Sequence, residues 1–164
     1  MPKKSSPDSN AALRQQLIDL LAGGNAHAKF DDIIKDLPPE LRGKKSPNLP
    51  HTPWMLLEHL RIAQWDILEF SRNAEHKSPA WPEGYWPKTE APATDIAWNK
   101  SVQEFRKDLK TMQDLIADPK TDLFAGISWG DGQTILREAL LLADHNAYHL
   151  GQLVDVRRLL GAWK

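Results

Sequence analysis

His145 and His149 stand four residues apart in the segment Asp144-His145-Asn146-Ala147-Tyr148-His149-Leu150-Gly151-Gln152. On a helix that spacing is close to one turn, so the two imidazoles project within about 40° of each other and can reach one ion. Steps of three and four residues from His149 reach Ile135, Leu142, His145, Leu153, Val156 and Leu160, an apolar face that has to turn inward. His59 sits in the same way between Met55 and Ile62. A lone inward histidine is more often a hydrogen-bonded core residue than a ligand. Three such residues in an apolar interior each have two ring nitrogens to satisfy, and a shared cation serves three of those positions at once. His59, His145 and His149 are therefore the predicted metal ligands. The chain has no cysteine, so donors are nitrogen and oxygen, and a reactive thiol would have to arrive with a substrate or cofactor. Zn²⁺ or Ni²⁺ suits imidazole best, with Fe²⁺ and Mn²⁺ as alternatives.

Other polar residues near these positions have more than one reading. Gln152, one turn beyond His149, is placed to contact something bound at the metal. Glu58, Asp144 and Tyr148 flank the ligands and could orient imidazole N–H groups or deliver a proton; the simpler reading makes them flank residues. Asp66 shares the inner stripe of His59 but lies about 10 Å along the helix, which is too far to share an ion and favours pairing with another helix. His27 reads as a packed structural histidine, His51 as a rim residue and His76 as part of a polar loop. Gly151 interrupts a helical pattern, which points to close approach by a neighbouring helix or substrate, or to simple packing.

The elements that must carry these residues are marked by the 12 prolines, since proline breaks a helix interior. They cluster in a leading tail and three connections. Only Pro53 touches a helix, with Thr52 as N-cap and proline at the first helical position. Four proline-free runs remain. The first, about 10–36, is predicted as a helix broken at Gly23-Gly24. The second, about 52–75, places Met55, Leu56, His59, Ile62, Ala63, Asp66 and Phe70 on one face. The third, about 93–117, carries Trp98, Val102, Phe105, Leu109, Met112 and Ile116 in a stripe. The fourth, about 133–161, takes Thr134 as N-cap. These four runs predict an all-α four-helix bundle with long connecting loops: a tail over residues 1–9, expected to be flexible, and one domain over 10–164. The connections run to roughly 15 residues or more, longer than usual in bundles. They hold Trp81, Tyr85, Trp86 and Trp129, which either cap the core or wall a substrate cleft.

Lys and Arg total 21 against 22 Asp and Glu, so no general positive field invites a nucleic acid or an anionic membrane. No apolar stretch forms a signal or a membrane span, and the expected location is the cytoplasm. The fourth helix has a second apolar surface, Leu136, Leu140, Ala143, Ala147, Leu150 and Val154. The broken first helix, a loop or a second subunit must cover it, so a homodimer is among the expectations.

The stretches Leu49-Pro50-His51-Thr52-Pro53-Trp54-Met55-Leu56-Leu57-Glu58-His59 and Asp144 through Gln152 resemble those of the DinB/YfiT-like metalloenzymes, four-helix bundles with a three-histidine metal site. The resemblance places the helix-two ligand on His59 and the helix-four pair on His145 and His149. It implies a divalent-metal protein in a superfamily that includes thiol-dependent S-transferases and a thiol-dependent isomerase, in which metal activates the thiol of a low-molecular-weight cofactor. The expected activity is thus metal-dependent chemistry on a small molecule, of thiol S-transferase or hydrolase type. The alternative is a non-catalytic metal-binding or stress-associated interaction protein.

Overall fold

The computed structural model describes residues 9–163, and no strand forms among them. Helix α1 (Ser9–Ala22) is followed by a short α2 (Phe30–Ile34), then α3 (Pro53–Arg72), α4 (Asp95–Ala117) and α5 (Ile135–Leu159). The expected tail, apart from Ser9, lies outside the described residues. The break in the first run falls at Gly23 and Gly24, whose φ values of +69° and +88° belong to the left-handed region that glycine enters without a Cβ clash. The Gly23 N–H closes α1 on the Asp19 and Leu20 carbonyls, both at 3.2 Å.

Helix α3 lies against α4 on one side and α5 on the other, and α1 completes a square by packing on α4 and α5. This is the predicted helical bundle. The long helices start where side-chain oxygens replace missing backbone acceptors: Thr52, Thr94 and Thr134 accept from the N–H groups of Met55, Ala97 and Arg137, each at 3.1 Å. Such caps contribute about 1 kcal/mol each. Thr52 is fully buried and its hydroxyl also donates to the Glu90 carbonyl at 2.6 Å. One residue therefore sets where α3 begins and ties the α3–α4 connection to it. At the other end of the bundle, the Arg14 guanidinium donates to the carbonyls of Ile116 (2.6 Å), Asp118 (3.0 Å) and Thr121 (2.6 Å), satisfying groups that the end of α4 leaves open.

Two apolar halves make up the core. One gathers Leu57, Leu60, Phe105, Leu150 and Leu153 under α2, with Phe30 stacked on Phe105 at 3.9 Å. The other gathers Leu17, Leu68, Met112, Ile116 and Leu142 under α1. Between them, Gln64 donates to the Phe105 carbonyl at 2.7 Å and accepts from the Asn146 amide at 3.0 Å. This buried crosslink joins α3, α4 and α5 and disfavours any other register, because a slipped helix would bury those amides unpaired.

The second apolar surface of α5 is largely covered by the broken first run. Ala143 packs in the cluster of Leu17 and Leu21, and Leu150 in that of Phe30 and Ile33. Leu140 and Leu141 stay exposed. Leu20 also faces out. Gly151 has no close neighbour in the fold: a Cβ built on it meets nothing within 4 Å, so no neighbouring helix makes a close approach there. No helix among the described residues is long and apolar enough to cross a membrane.

Candidate metal centre

Helix α3 supplies His59 and the facing helix α5 supplies His145 and His149. The structure brings all three together at one level of the bundle. The His59 Nε2 lies 3.0 Å from the His149 Nε2 and 3.1 Å from the His145 Nε2, and one nitrogen from each ring falls within 4.8 Å of the others. Two imidazole nitrogens each about 2.1 Å from one ion stand about 3.0–3.4 Å apart, so the two short separations fit ligands of a common ion.

The outer nitrogens decide what the inner ones carry. The His59 Nδ1 donates to the Tyr85 carbonyl at 2.8 Å; a carbonyl only accepts, so the proton of a neutral His59 ring sits on Nδ1 and its Nε2 presents a lone pair. The His149 Nδ1 donates to the Gln152 Oε1 at 2.7 Å, with the same result. Lone pair then faces lone pair at hydrogen-bond distance. A proton could lie between them, but burial pulls the His59 pKa down to about 4, with the neighbouring His149 and His51 adding to the shift against the Tyr85 carbonyl's opposing pull. Burial, then His149 and His59, also brings His145 to about 4, and burial lowers His149. Near neutral pH the rings are uncharged, and a cation is what their geometry can accommodate.

The cluster makes the metal-free protein acid-sensitive. The unfolded chain binds protons below the ordinary histidine value of 6.5, while His59 and His145 in the folded chain do so only near 4. Their contribution to stability is complete above about 6.5 and falls as pH drops through about 4. Urea midpoints of the metal-free protein should decline over that window, and decline less steeply in His145→Leu. Equal slopes for the two proteins would contradict the assignment.

Aromatic rings from the α3–α4 connection close one side of the site. Trp86 lies parallel to His59, with centroids 3.9 Å apart and an interplanar angle of 3°. Its other face stacks on His51 at 4.1 Å. His51 is thus more than a rim residue, since its ring backs the one that covers a candidate ligand. Tyr148, largely exposed, sets its ring against the edge of His149 at 4.9 Å. Trp129 caps the far end by donating to the Phe70 carbonyl at 2.8 Å, and Trp81 is exposed. Trp86 thus packs on a candidate ligand and Trp129 on the end of α3, while Trp81 takes neither of the two expected roles.

Several expectations change. Gln152 holds the outer nitrogen of His149 and does not point its oxygen at the shared centre. Glu58 turns toward α4, paired with Arg61 at 2.7 Å; burial alone would raise its pKa, but hydrogen bonds from Arg61 and Ser101 and the Arg61 charge leave it lowered. Asp144 is exposed on the outer face of α5. Asp66 pairs with the loop after α3 and not with another helix: it accepts from His76 Nε2 at 2.7 Å and from the Tyr85 hydroxyl at 2.6 Å. His27 is exposed, not packed. The Tyr85 carbonyl and the Gln64–Asn146 pair were not anticipated; the one is main chain without a side-chain signature, and the other is two amides whose helical positions alone do not reveal that they meet.

A cavity of about 140 Å³ lies one turn along from the histidines, lined by Leu49, Pro50, His51, Leu56, Gln152 and Val156 among others. Gln152 is common to this cavity and to the hydrogen bond on His149.

A family model described as the DinB superfamily matches residues 24–153, a span holding all three histidines and the loop that packs on them. Neither the curated proteins nor the solved structures give a match to the chain.

Proposed function

The chain belongs to the DinB superfamily, and from that membership and its three converging imidazoles we propose a divalent-metal-dependent enzyme acting on a small molecule, of thiol S-transferase or hydrolase type. His59, His145 and His149 are the ligands in this reading. The observation that carries it is the pair of Nε2 lone pairs on His59 and His149, 3.0 Å apart, with both Nδ1 groups committed elsewhere. Zn²⁺ or Ni²⁺ suits the donor set best, with Fe²⁺ and Mn²⁺ as alternatives.

Structural zinc sites take four protein ligands, whereas catalytic ones take three and leave a position open. Among the described residues the group of facing donors contains three members, which favours catalysis over a purely structural ion. A bound divalent ion supplies one thing here: it lowers the pKa of a water or thiol brought to it. The protein does the rest. The Tyr85 carbonyl and Gln152 hold the rings of His59 and His149 in one tautomer, Trp86 covers the face of His59 against water, and the adjoining cavity, mostly apolar with His51, Gln152 and Asp155 in its wall, offers room for a small substrate.

The competing reading is a non-catalytic metal-binding or stress-associated protein in which the ion fastens α3 to α5. Zinc- and nickel-loaded protein tested against small thiols paired with electrophiles, and against simple esters and amides, separates the two. Turnover requiring both ion and thiol supports transfer; turnover of an ester or amide with ion alone supports hydrolysis. Stoichiometric loading without turnover of any of them assigns the protein to the binding role. Homodimerisation is a secondary proposal, resting on Leu140 and Leu141, two exposed apolar residues of α5.

A further inference from the structure

Asp66 is a buried carboxylate, 8% exposed, that the site as described does not use. It lies two turns beyond His59 on α3, about 10 Å along the axis, and Tyr85 bridges that gap. The Tyr85 carbonyl accepts from His59 Nδ1 at 2.8 Å, and the Tyr85 hydroxyl donates to Asp66 at 2.6 Å. A single residue is thus gripped at both ends by the same helix. Burial, with the Asp66 hydrogen bond and charge next, raises the Tyr85 pKa to about 12, so the hydroxyl keeps its proton and remains a donor.

We propose that Asp66 is a positioning residue of the metal centre: by anchoring the Tyr85 hydroxyl it fixes the Tyr85 carbonyl, which sets the tautomer and ring orientation of His59. The inference rests on the reading of His59, His145 and His149 as ligands. Burying a carboxylate is costly unless donors compensate, and here both compensating donors, Tyr85 and His76, come from the loop that carries the carbonyl. Residues that hold the outer nitrogen of a ligating histidine alter metal affinity when removed. Asp66 reaches that nitrogen through one intermediary. Trp86, next in sequence to Tyr85, lies flat on the same imidazole, so the brace also governs the ring that covers His59.

His76 separates positioning from mere loop fastening. Its bond to Asp66 holds the loop, with its ring edge-on to Trp65 at 5.0 Å, but it does not touch Tyr85's link to His59. Full-length protein is titrated with Zn²⁺ by calorimetry and with Co²⁺ by visible absorption, using Tyr85→Phe, Asp66→Asn, Asp66→Ala and His76→Ala, with helicity checked by circular dichroism. Tyr85→Phe keeps ring and carbonyl and loses only the hydroxyl. It should weaken zinc binding about tenfold and shift the Co²⁺ band. Asp66→Ala should do the same, and the double variant should be no weaker than either single one, because both cut one path. Asp66→Asn, which still accepts from Tyr85, should recover most of the affinity, while His76→Ala should have a smaller effect than Tyr85→Phe. If Asp66→Ala fails to fold, Tyr85→Phe and Asp66→Asn decide. Wild-type affinity and band position in Tyr85→Phe, or equal weakening by His76→Ala, overturns this inference alone. A wild-type protein that binds neither ion overturns the ligand reading and this inference with it.

Discussion

Replacing His149 with alanine is expected to reduce metal affinity by at least a hundredfold and to leave protein purified without added metal far below one ion per chain. Structural zinc sites bind with apparent free energies of about 10–16 kcal/mol over four ligands, or roughly 3 kcal/mol for each, and 1.4 kcal/mol is a factor of ten. His149 is a sensitive choice because its Nε2 lies 3.0 Å from that of His59 and its Nδ1 is already committed to Gln152. The substitution removes a donor whose lone pair has no other use. His27→Ala is the control: that side chain is exposed and far in sequence from the three candidate ligands, and its loss should leave metal content unchanged. Elemental analysis of the wild type and both variants, followed by zinc titration, reads the outcome. Stoichiometric metal in His149→Ala would refute the ligand assignment.

The converging histidines were legible because helical spacing fixes direction. His145 and His149 share a face through the 100° step, and His59 lay on an inward stripe, so facing helices brought the rings together. The caps at Thr52 and Thr134 were legible for a similar reason, as a hydroxyl before a periodic run has a local job. Helix α3 was read less well. Met55, Ile62 and Phe70, expected inside, are half-buried, while Leu57, Leu60, Gln64 and Leu68 are fully buried. A stripe of one width describes a helix touching one neighbour, and α3 touches α4 and α5 with a loop over its first turns. What holds the candidate ligands was hidden altogether. Residue 85 acts on His59 through its backbone oxygen, 26 positions away in a connection without periodicity, and such a contact leaves no trace in the residue types. The same applies to Gln152, whose position beside His149 was clear but whose amide turned to the imidazole's outer nitrogen.

Arg157 carries the second large expected effect, this time on stability. It is 5% exposed, and its donors go to backbone carbonyls. Its guanidinium donates to the carbonyls of Ile33, Lys35 (2.9 Å) and Ala162 (3.0 and 2.7 Å) and lies 5.1 Å from the Trp163 ring centroid. Burial lowers its pKa, with the Asp36 charge opposing, yet a guanidinium starts so far above neutral that it stays charged. Two of the carbonyls belong to the end of α2, a helix of 5 residues that could not persist alone, and the positive charge meets the negative end of its backbone dipole. Arg157→Met keeps the apolar stem but leaves three carbonyls without their donor. Hydrogen bonds to a charged group contribute about 1.5–3 kcal/mol each, and because these share one side chain their losses do not add. A net cost of about 3 kcal/mol is expected, lowering the melting temperature by about 10 °C. Arg157→Lys should fall between the two, since one ammonium cannot span carbonyls on both sides as the planar fork does. Thermal unfolding of the three proteins tests the order. A lysine variant as stable as the wild type would mean that charge alone suffices, and a methionine variant as stable would mean that α2 is held by its apolar contacts with Phe105 and Leu150 instead.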